Sequence, residues 1–179
     1  GGFDVVIGNP PYGADLSDKD KTLFKAKFSD VHMRTPDTFN YFISQGFSLI
    51  RDGAIISYIV PNNLLYQNEY EKARNLLINK NRLIRVTNIG DNVFESADVP
   101  TCVFVASKAN KNEPYSFGYN DFRFVPVKEI NWDSCGVPCE TSIVNDTPSL
   151  VIGVTQQTSV ILQKMNNKAI PIDQIAYEV

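Results

Sequence analysis

A chain of 179 residues with 43% hydrophobic and 21% charged residues, including 8 Tyr and 11 Phe, carries enough apolar side chain to bury a core, which excludes a disordered segment. Its formal net charge of −3 argues against a stand-alone nucleic-acid binder, because phosphate neutralisation supplies most non-specific affinity; any such partner is expected to need help from outside this chain. No run approaches about 18 uninterrupted apolar residues and no basic segment precedes an apolar one, so neither a membrane span nor a secretory signal is visible and a cytoplasmic location is the default expectation.

The chain opens on Gly1-Gly2 rather than Met and leads at once into an apolar run, the pattern expected of a piece of a larger protein. Phe3 to Gly8 is short and rich in Val and Ile, predicting a parallel strand buried on both faces. Asn9-Pro10-Pro11 stops it, since proline cannot donate to a ladder. Asp15 to Arg34 is polar and predicts a mobile loop with a short helix around Lys21 to Phe28. Thr35-Pro36-Asp37 has the form of a helix start, with a capping hydroxyl and a proline at the first helical position. Phe39, Phe42, Ile43, Gly46, Phe47 and Ile50 then recur at helical spacing as far as Asp52-Gly53. Ala54 to Val60 is a second apolar strand, closed by Pro61 and Asn62-Asn63, and Tyr70 to Asn79 reads as a helix. Leu83 to Ile89 and Thr101 to Ser107 predict two neighbouring strands.

Alternating strands and helices imply an α/β parallel sheet, in which ligands sit beyond the carboxyl ends of the strands. The Asn9 to Tyr12 loop falls at such an end. Farther on, Tyr115 to Val127 alternates as an antiparallel strand would, Asn131 to Asp146 is turn-rich with no element expected, and Thr158 to Asn166 predicts a short helix. The three cysteines include Cys102 inside a strand-like run, which suits reduced thiols. Cys135 and Cys139 form an isolated pair far from the single His32, so no metal site is expected.

Asn9-Pro10-Pro11-Tyr12 is expected by chance in only about one in two thousand chains of this length. Its plainest reading is a rigid turn. Its chemical reading is more specific. An exocyclic amine on a purine is a poor nucleophile because its lone pair is delocalised into the ring, and two hydrogen-bond acceptors at its N–H groups favour a pyramidal, nucleophilic nitrogen. Asn9 supplies a side-chain oxygen, and the carbonyl of Pro10 supplies a second acceptor held rigid by two fixed φ angles. Tyr12 offers a flat ring on which a base extruded from a duplex can stack.

The run FDVVIGNPPYG resembles the catalytic motif of the amino-methyltransferases, in the form found in adenine-specific DNA methyltransferases of restriction-modification systems. Asp37-Thr38-Phe39-Asn40-Tyr41-Phe42 followed by SLIRDGAIISYIVPNNLL is similar to that family's next helix, turn and strand. Ile89-Gly90-Asp91-Asn92-Val93-Phe94 followed by VPTCVFVASK is similar to its late motif. The resemblance, over roughly residues 3 to 108, implies the C-terminal half of a Rossmann-like class I methyltransferase sheet followed by the start of a second domain. Residues 1–110 would be a partial catalytic domain, 111–168 a connector, and 169–179 the start of a target-recognition domain.

It implies S-adenosylmethionine as methyl donor and double-stranded DNA as substrate, with transfer to N6 of a flipped adenine. Asn9, Pro10, Pro11 and Tyr12 would be catalytic, Tyr12 and Phe94 would hold the base, and Asn9 and Phe42 would touch the cofactor. Core packing is the plain alternative for Phe42 and Phe94. The family's Gly-rich cofactor loop and the acidic residue that follows it are not found here, so the rest of a parent polypeptide is an expected partner and this piece alone is expected to be inactive. A protein-glutamine N5 or RNA methyltransferase shares the motif. So does a catalytically silent DNA-interaction or scaffold domain retaining the loop.

Overall fold

The computed structural model describes residues 1–35, 37–91, 99–109, 113–145, Leu150, Lys164 and Lys168. Six strands form one sheet: β1 (Phe3–Gly8), β2 (Ile50–Pro61), β3 (Arg82–Gly90), β4 (Thr101–Ser107), β5 (Ser116–Asp121) and β6 (Val137–Glu140), in the spatial order β1-β2-β4-β3-β5-β6. The helices are α1 (Asp18–Lys27), α2 (Thr38–Leu49), α3 (Glu71–Ile78) and the short α4 (Thr141–Asn145).

The sheet is mixed rather than parallel. β1 pairs parallel with β2 and β3 parallel with β5, but β4 runs antiparallel between β2 and β3. The reason is connection length. Only residues 91–100 separate β3 from β4, too few for the crossover of about a dozen residues that a parallel neighbour requires. Likewise β5, expected to be antiparallel, is parallel to β3 and meets an antiparallel partner only in β6. β6 and α4 lie where no element was expected. A four-residue strand containing Pro138 at the outer edge pairs through its backbone and needs no side-chain pattern.

Helix α1 starts earlier than its apolar residues suggest, because the Ser17 hydroxyl caps it by accepting from the Asp20 amide at 3.2 Å. Asp18 and Asp20 in its first turn and Lys25 and Lys27 in its last complement the helix dipole. Helix α2 departs from the expected start. Asp37, not Thr35, is its capping residue, and Thr38 is its first helical residue. At its other end the helix passes directly into β2 at Ile50, and Asp52-Gly53 instead forms a bulge in that strand. Between the pairs Phe3 with Ile50 and Val5 with Ile55 the register shifts, and Gly53 takes φ 77°, a left-handed conformation open to glycine.

Phe39, Ile43 and Phe47 of α2 and Leu76 and Leu77 of α3 pack with Ile56, Val60, Leu83, Val86 and Phe104 of the central strands to form the core. Arg74 is buried with them and donates to the carbonyls of Leu64 and Gln67 at 2.8 and 2.7 Å, which satisfies the turn leading into α3. β1 is not buried on both faces. It is the outermost strand, and Ile7 is 78% exposed, with Phe3 and Val5 also open to solvent. β5, β6 and α4 fall in the segment expected to be a connector. Apart from Lys164 and Lys168, the expected helix Thr158 to Asn166 and the segment 169–179 lie outside the described residues.

Where α2 crosses β2, Gly46 sits so close to Ile56 and the Tyr58 hydroxyl that a methyl group would overlap both. Gly46→Ala is expected to lower stability by about 1–3 kcal/mol despite the better helix propensity of alanine. An unshifted urea midpoint would show that the helix does not approach the sheet this closely.

Candidate active site at the carboxyl edge of the sheet

Because β1, β2, β3 and β5 run in one direction, their carboxyl ends share one edge, where Asn9, Asn62-Asn63, Gly90 and Asp121 lie. Asn9 to Tyr12 leaves β1 there. Pro10 is buried, Asn9 and Pro11 are exposed, and Tyr12 is half-buried with its ring packed against the core.

The loop is held from outside. The Thr38 hydroxyl donates to the Pro11 carbonyl at 2.6 Å, and the Gly13 amide donates to Asp37 Oδ1 at 3.1 Å, with Gly13 at φ 68° supplying the turn. The second carboxylate oxygen of Asp37 faces the Tyr70 hydroxyl at 3.5 Å, and Asn63 Nδ2 donates to that hydroxyl at 3.3 Å. Tyr70 stacks on Phe39 with ring centroids 5.3 Å apart. Burial, with the Asp37 carboxylate second, pushes the Tyr70 phenol up to about 12. Asn63, Tyr70, Asp37 and Gly13 thus form a polar chain from the end of β2 to the loop.

Of these holding residues, Asn63 and Tyr70 were visible only as the close of a strand and the start of a helix. Asp37 and Thr38 were visible only as a helix start, although a carboxylate and a hydroxyl beside a proline-rich loop are the groups that can grip its backbone.

Phe42 is 44% exposed and stands outside the core that Phe39, Ile43 and Phe47 fill. It lies one helical turn beyond Thr38, on the face that grips the loop. The structure therefore brings Asn9 to Tyr12 together and sets Phe42 on the helix that holds them. Phe94 lies outside the described residues. Among the described residues no group of three His, Cys, Asp or Glu side chains could hold a metal ion. His32 Nδ1 is 2.8 Å from the Tyr41 hydroxyl, and Cys102, Cys135 and Cys139 are free thiols. Burial pushes the Cys102 thiol well up, which leaves it unreactive in the core.

Residues 1–94 match the family described as Eco57I restriction-modification methylase. The chain belongs to this family. It is 23% identical over 180 residues to the type II restriction enzyme and methyltransferase RM.Eco57I of Escherichia coli, covering 92% of this chain and 18% of that protein. It is 26% identical over 136 residues to the type I restriction enzyme MpnII methylase subunit of Mycoplasma pneumoniae, covering 73% of this chain and 25% of that subunit. The chain thus spans no more than a quarter of either relative.

Among solved structures, the type IIG restriction endonuclease BpuSI superposes with a TM-score of 0.62 at 19% identity, over 92% of this chain and 22% of that one. A Listeria monocytogenes protein described as a class I S-adenosylmethionine-dependent methyltransferase superposes with a TM-score of 0.54 at 17% identity, over 68% of this chain and 37% of that one. The mixed six-stranded sheet of this chain is therefore similar in fold to part of each of these structures, one of them described as a class I methyltransferase.

The Tyr70 arrangement has a sign that can be measured. In the unfolded chain this phenol ionises near pH 10, whereas in the fold it holds its proton to about 12. Its pKa is raised on folding, so its contribution to stability is complete below about pH 10 and is lost as pH rises toward 12. Tyr41, Tyr58, Tyr115 and Tyr119 shift in the same direction, so Tyr70→Phe is expected to flatten only part of the alkaline decline in urea midpoint. Identical slopes in both proteins would contradict a buried Tyr70 facing Asp37.

Proposed function

We propose that this chain is the base-binding part of a DNA methyltransferase of a restriction-modification system, and that the parent protein methylates N6 of an adenine flipped out of double-stranded DNA. The observation that carries this reading is the gripped loop: Thr38 and Asp37 fix the backbone of Pro11 and Gly13, while the Asn9 side chain remains exposed beside them. The relatives, a restriction enzyme and methyltransferase and a methylase subunit, support the same reading.

Thr38 occupies the Pro11 carbonyl, which leaves the Pro10 carbonyl and the Asn9 amide oxygen as the pair of acceptors for the two N–H groups of the base. Two acceptors fixed before the base arrives draw the nitrogen away from planarity and direct its lone pair outward. Tyr12, half-buried and packed on the core, presents a ring that offsets part of the few kcal/mol that flipping requires. Once bound, S-adenosylmethionine supplies an electrophilic methyl group on a sulfonium. The residues present fit one side of that group, since Phe42 is an exposed aromatic platform one turn from the loop's anchor and Asn9 lies at the open edge. As the nitrogen–carbon bond forms, the methyl–sulfur bond would break and leave a neutral thioether, and the amine, cationic at that point, would pass its proton to water, so no strong general base is required.

The partners in this reading are double-stranded DNA and the remainder of the parent polypeptide. In this reading the remainder of the parent is expected to pack on β1, the outermost strand, whose Phe3, Val5 and Ile7 are exposed here. Among the described residues no helix is long and apolar enough to cross a membrane.

The test is transfer of labelled methyl from S-adenosylmethionine to unmethylated DNA by the full-length parent, followed by nucleoside analysis. Label is expected in N6-methyladenine. Asn9→Ala is expected to lower kcat by about 10²–10³-fold, as removal of one fixed polar group at the reacting centre does. Tyr12→Ala should remove about 1–3 kcal/mol of stacking, and Tyr12→Phe should keep it. Normal transfer in both alanine variants, or label in another base, would overturn the reading.

A further inference from the structure

Beside the Asn9 to Tyr12 loop lies an open pocket of about 460 Å³, formed between the segment just after Gly13 and the segment just before Asp37. The Gly13 to Asp37 hydrogen bond draws those two segments together. The pocket is therefore built by the same contact that fixes the loop, and its wall at Ala14 begins two residues beyond Tyr12. Lys21, Lys25 and Arg34 line it with the hydroxyls of Thr22 and Thr35, and Asp15 is the one carboxylate in the lining.

The charges around this pocket are local. Lys21 Nζ is 3.4 Å from Asp18, but that carboxylate is fully exposed and screens weakly. Asp30 is turned away, accepting from the Ser44 hydroxyl at 2.9 Å. The His32 ring at the back is tied to the Tyr41 hydroxyl, and Lys72 Nζ donates to the His32 carbonyl at 3.0 Å. Burial first, and then Lys25 and Lys72, lower the His32 pKa, as a cationic surrounding does. Three cations against one lining carboxylate, in a chain whose net charge is −3, give this hollow a local excess of positive charge.

We infer that this pocket holds the sugar-phosphate backbone of the DNA strand next to the extruded nucleotide, with Lys25 and Arg34 as its principal phosphate contacts. The inference rests on the methyltransferase reading. A flipped base stays tethered to its own strand, so whichever face of the protein stacks the base at Tyr12 also meets the flanking phosphodiesters. The hollow has room for a nucleotide unit and not merely for a free ion. Arginine matches phosphate oxygens bidentately and lysine meets them as a point charge, while Thr35 adds a hydroxyl to the lining; the Thr22 hydroxyl is already donated to the Asp18 carbonyl at 2.9 Å. Such contacts position the strand and read no sequence.

The experiment uses the full-length parent with an unmethylated plasmid-derived duplex, measuring Kd across a salt titration and steady-state methyl transfer. For the double variant Lys25→Gln with Arg34→Gln, the slope of log Kd against log salt is expected to shrink by about 2, near 0.9 for each phosphate no longer neutralised. KM for DNA should rise about tenfold at low salt while kcat at saturating DNA and S-adenosylmethionine affinity stay unchanged. Lys25→Arg should keep the wild-type slope, and Lys19→Gln, on the same helix but outside the lining, should leave every parameter unchanged.

An unaltered slope in the double variant overturns the inference. So does a variant that changes only competition by inorganic phosphate, which would make the pocket a free-anion site. The two readings fail separately. Transfer that survives Asn9→Ala sinks the adenine mechanism and leaves the salt slope to be judged by itself, whereas loss of transfer in Asn9→Ala with a normal slope in the pocket variant sinks only the backbone contact.

Discussion

The site depends on how a loop with two consecutive prolines can be held. Pro10 and Pro11 have no N–H, so the chain leaving β1 lacks the donors that would tie it to a neighbouring strand or turn. Among the backbone groups it can offer, the Pro11 carbonyl and the Gly13 amide are taken by the first residues of α2 through Thr38 and Asp37. The helix start gives up its usual arrangement to do this. Asp37 stands at the cap position with no side-chain bond to its own helix, because its carboxylate is engaged by Gly13 and Tyr70. A negative group near a helix N-terminus remains favourable through the dipole, so the diversion costs little.

That grip explains why the rest of the architecture matters to the loop. α2 is positioned by Gly46 lying flat against Ile56 and Tyr58 of β2, and the Tyr58 ring also sits beside Gly8 at the end of β1. β2 is in turn fixed by β4 running antiparallel along it, with Phe104 buried at the centre of the sheet. A chain of close contacts thus leads from the core to the loop. Packed cores do not deform continuously, and the position of Asn9 is correspondingly set by the central strands as well as by its neighbours in sequence.

Much of this was legible in the residues. The strands at Phe3 to Gly8, Ala54 to Val60, Leu83 to Ile89 and Thr101 to Ser107 are dense apolar runs, the first three closed by Asn9, Pro61 and Gly90 and the fourth opened by Pro100, and they stand where those signals put them. The Asn9 to Tyr12 loop was legible as the end of a strand, because two consecutive prolines cannot donate to a ladder. Strand direction was not, since the antiparallel insertion of β4 follows from the short connection and from pairing partners distant in sequence. β6 was missed because an edge strand with a proline shows no alternation. The Asn63 to Tyr70 to Asp37 chain was missed because its members are spread along the sequence and meet only when β2, α3 and α2 pack.

The charge of the chain illustrates a similar limit. A net charge of −3 was a fair argument against unaided nucleic-acid binding, but it averages over a surface, and a phosphate responds to charges within about one Debye length, roughly 8–10 Å. The cationic side chains of α1 and of the segment before α2 are interleaved in sequence with Asp15, Asp18, Asp20 and Asp30, so no basic run stands out. Folding sorts them. Ser17 engages Asp20, Ser44 engages Asp30, Asp18 stands fully exposed beside Lys21, and Lys21, Lys25 and Arg34 line the hollow next to Gly13. The sorting is done by the same short segment that the Asp37 carboxylate closes onto the loop, so fixing the loop backbone and concentrating positive charge beside it are two results of one fold of the chain.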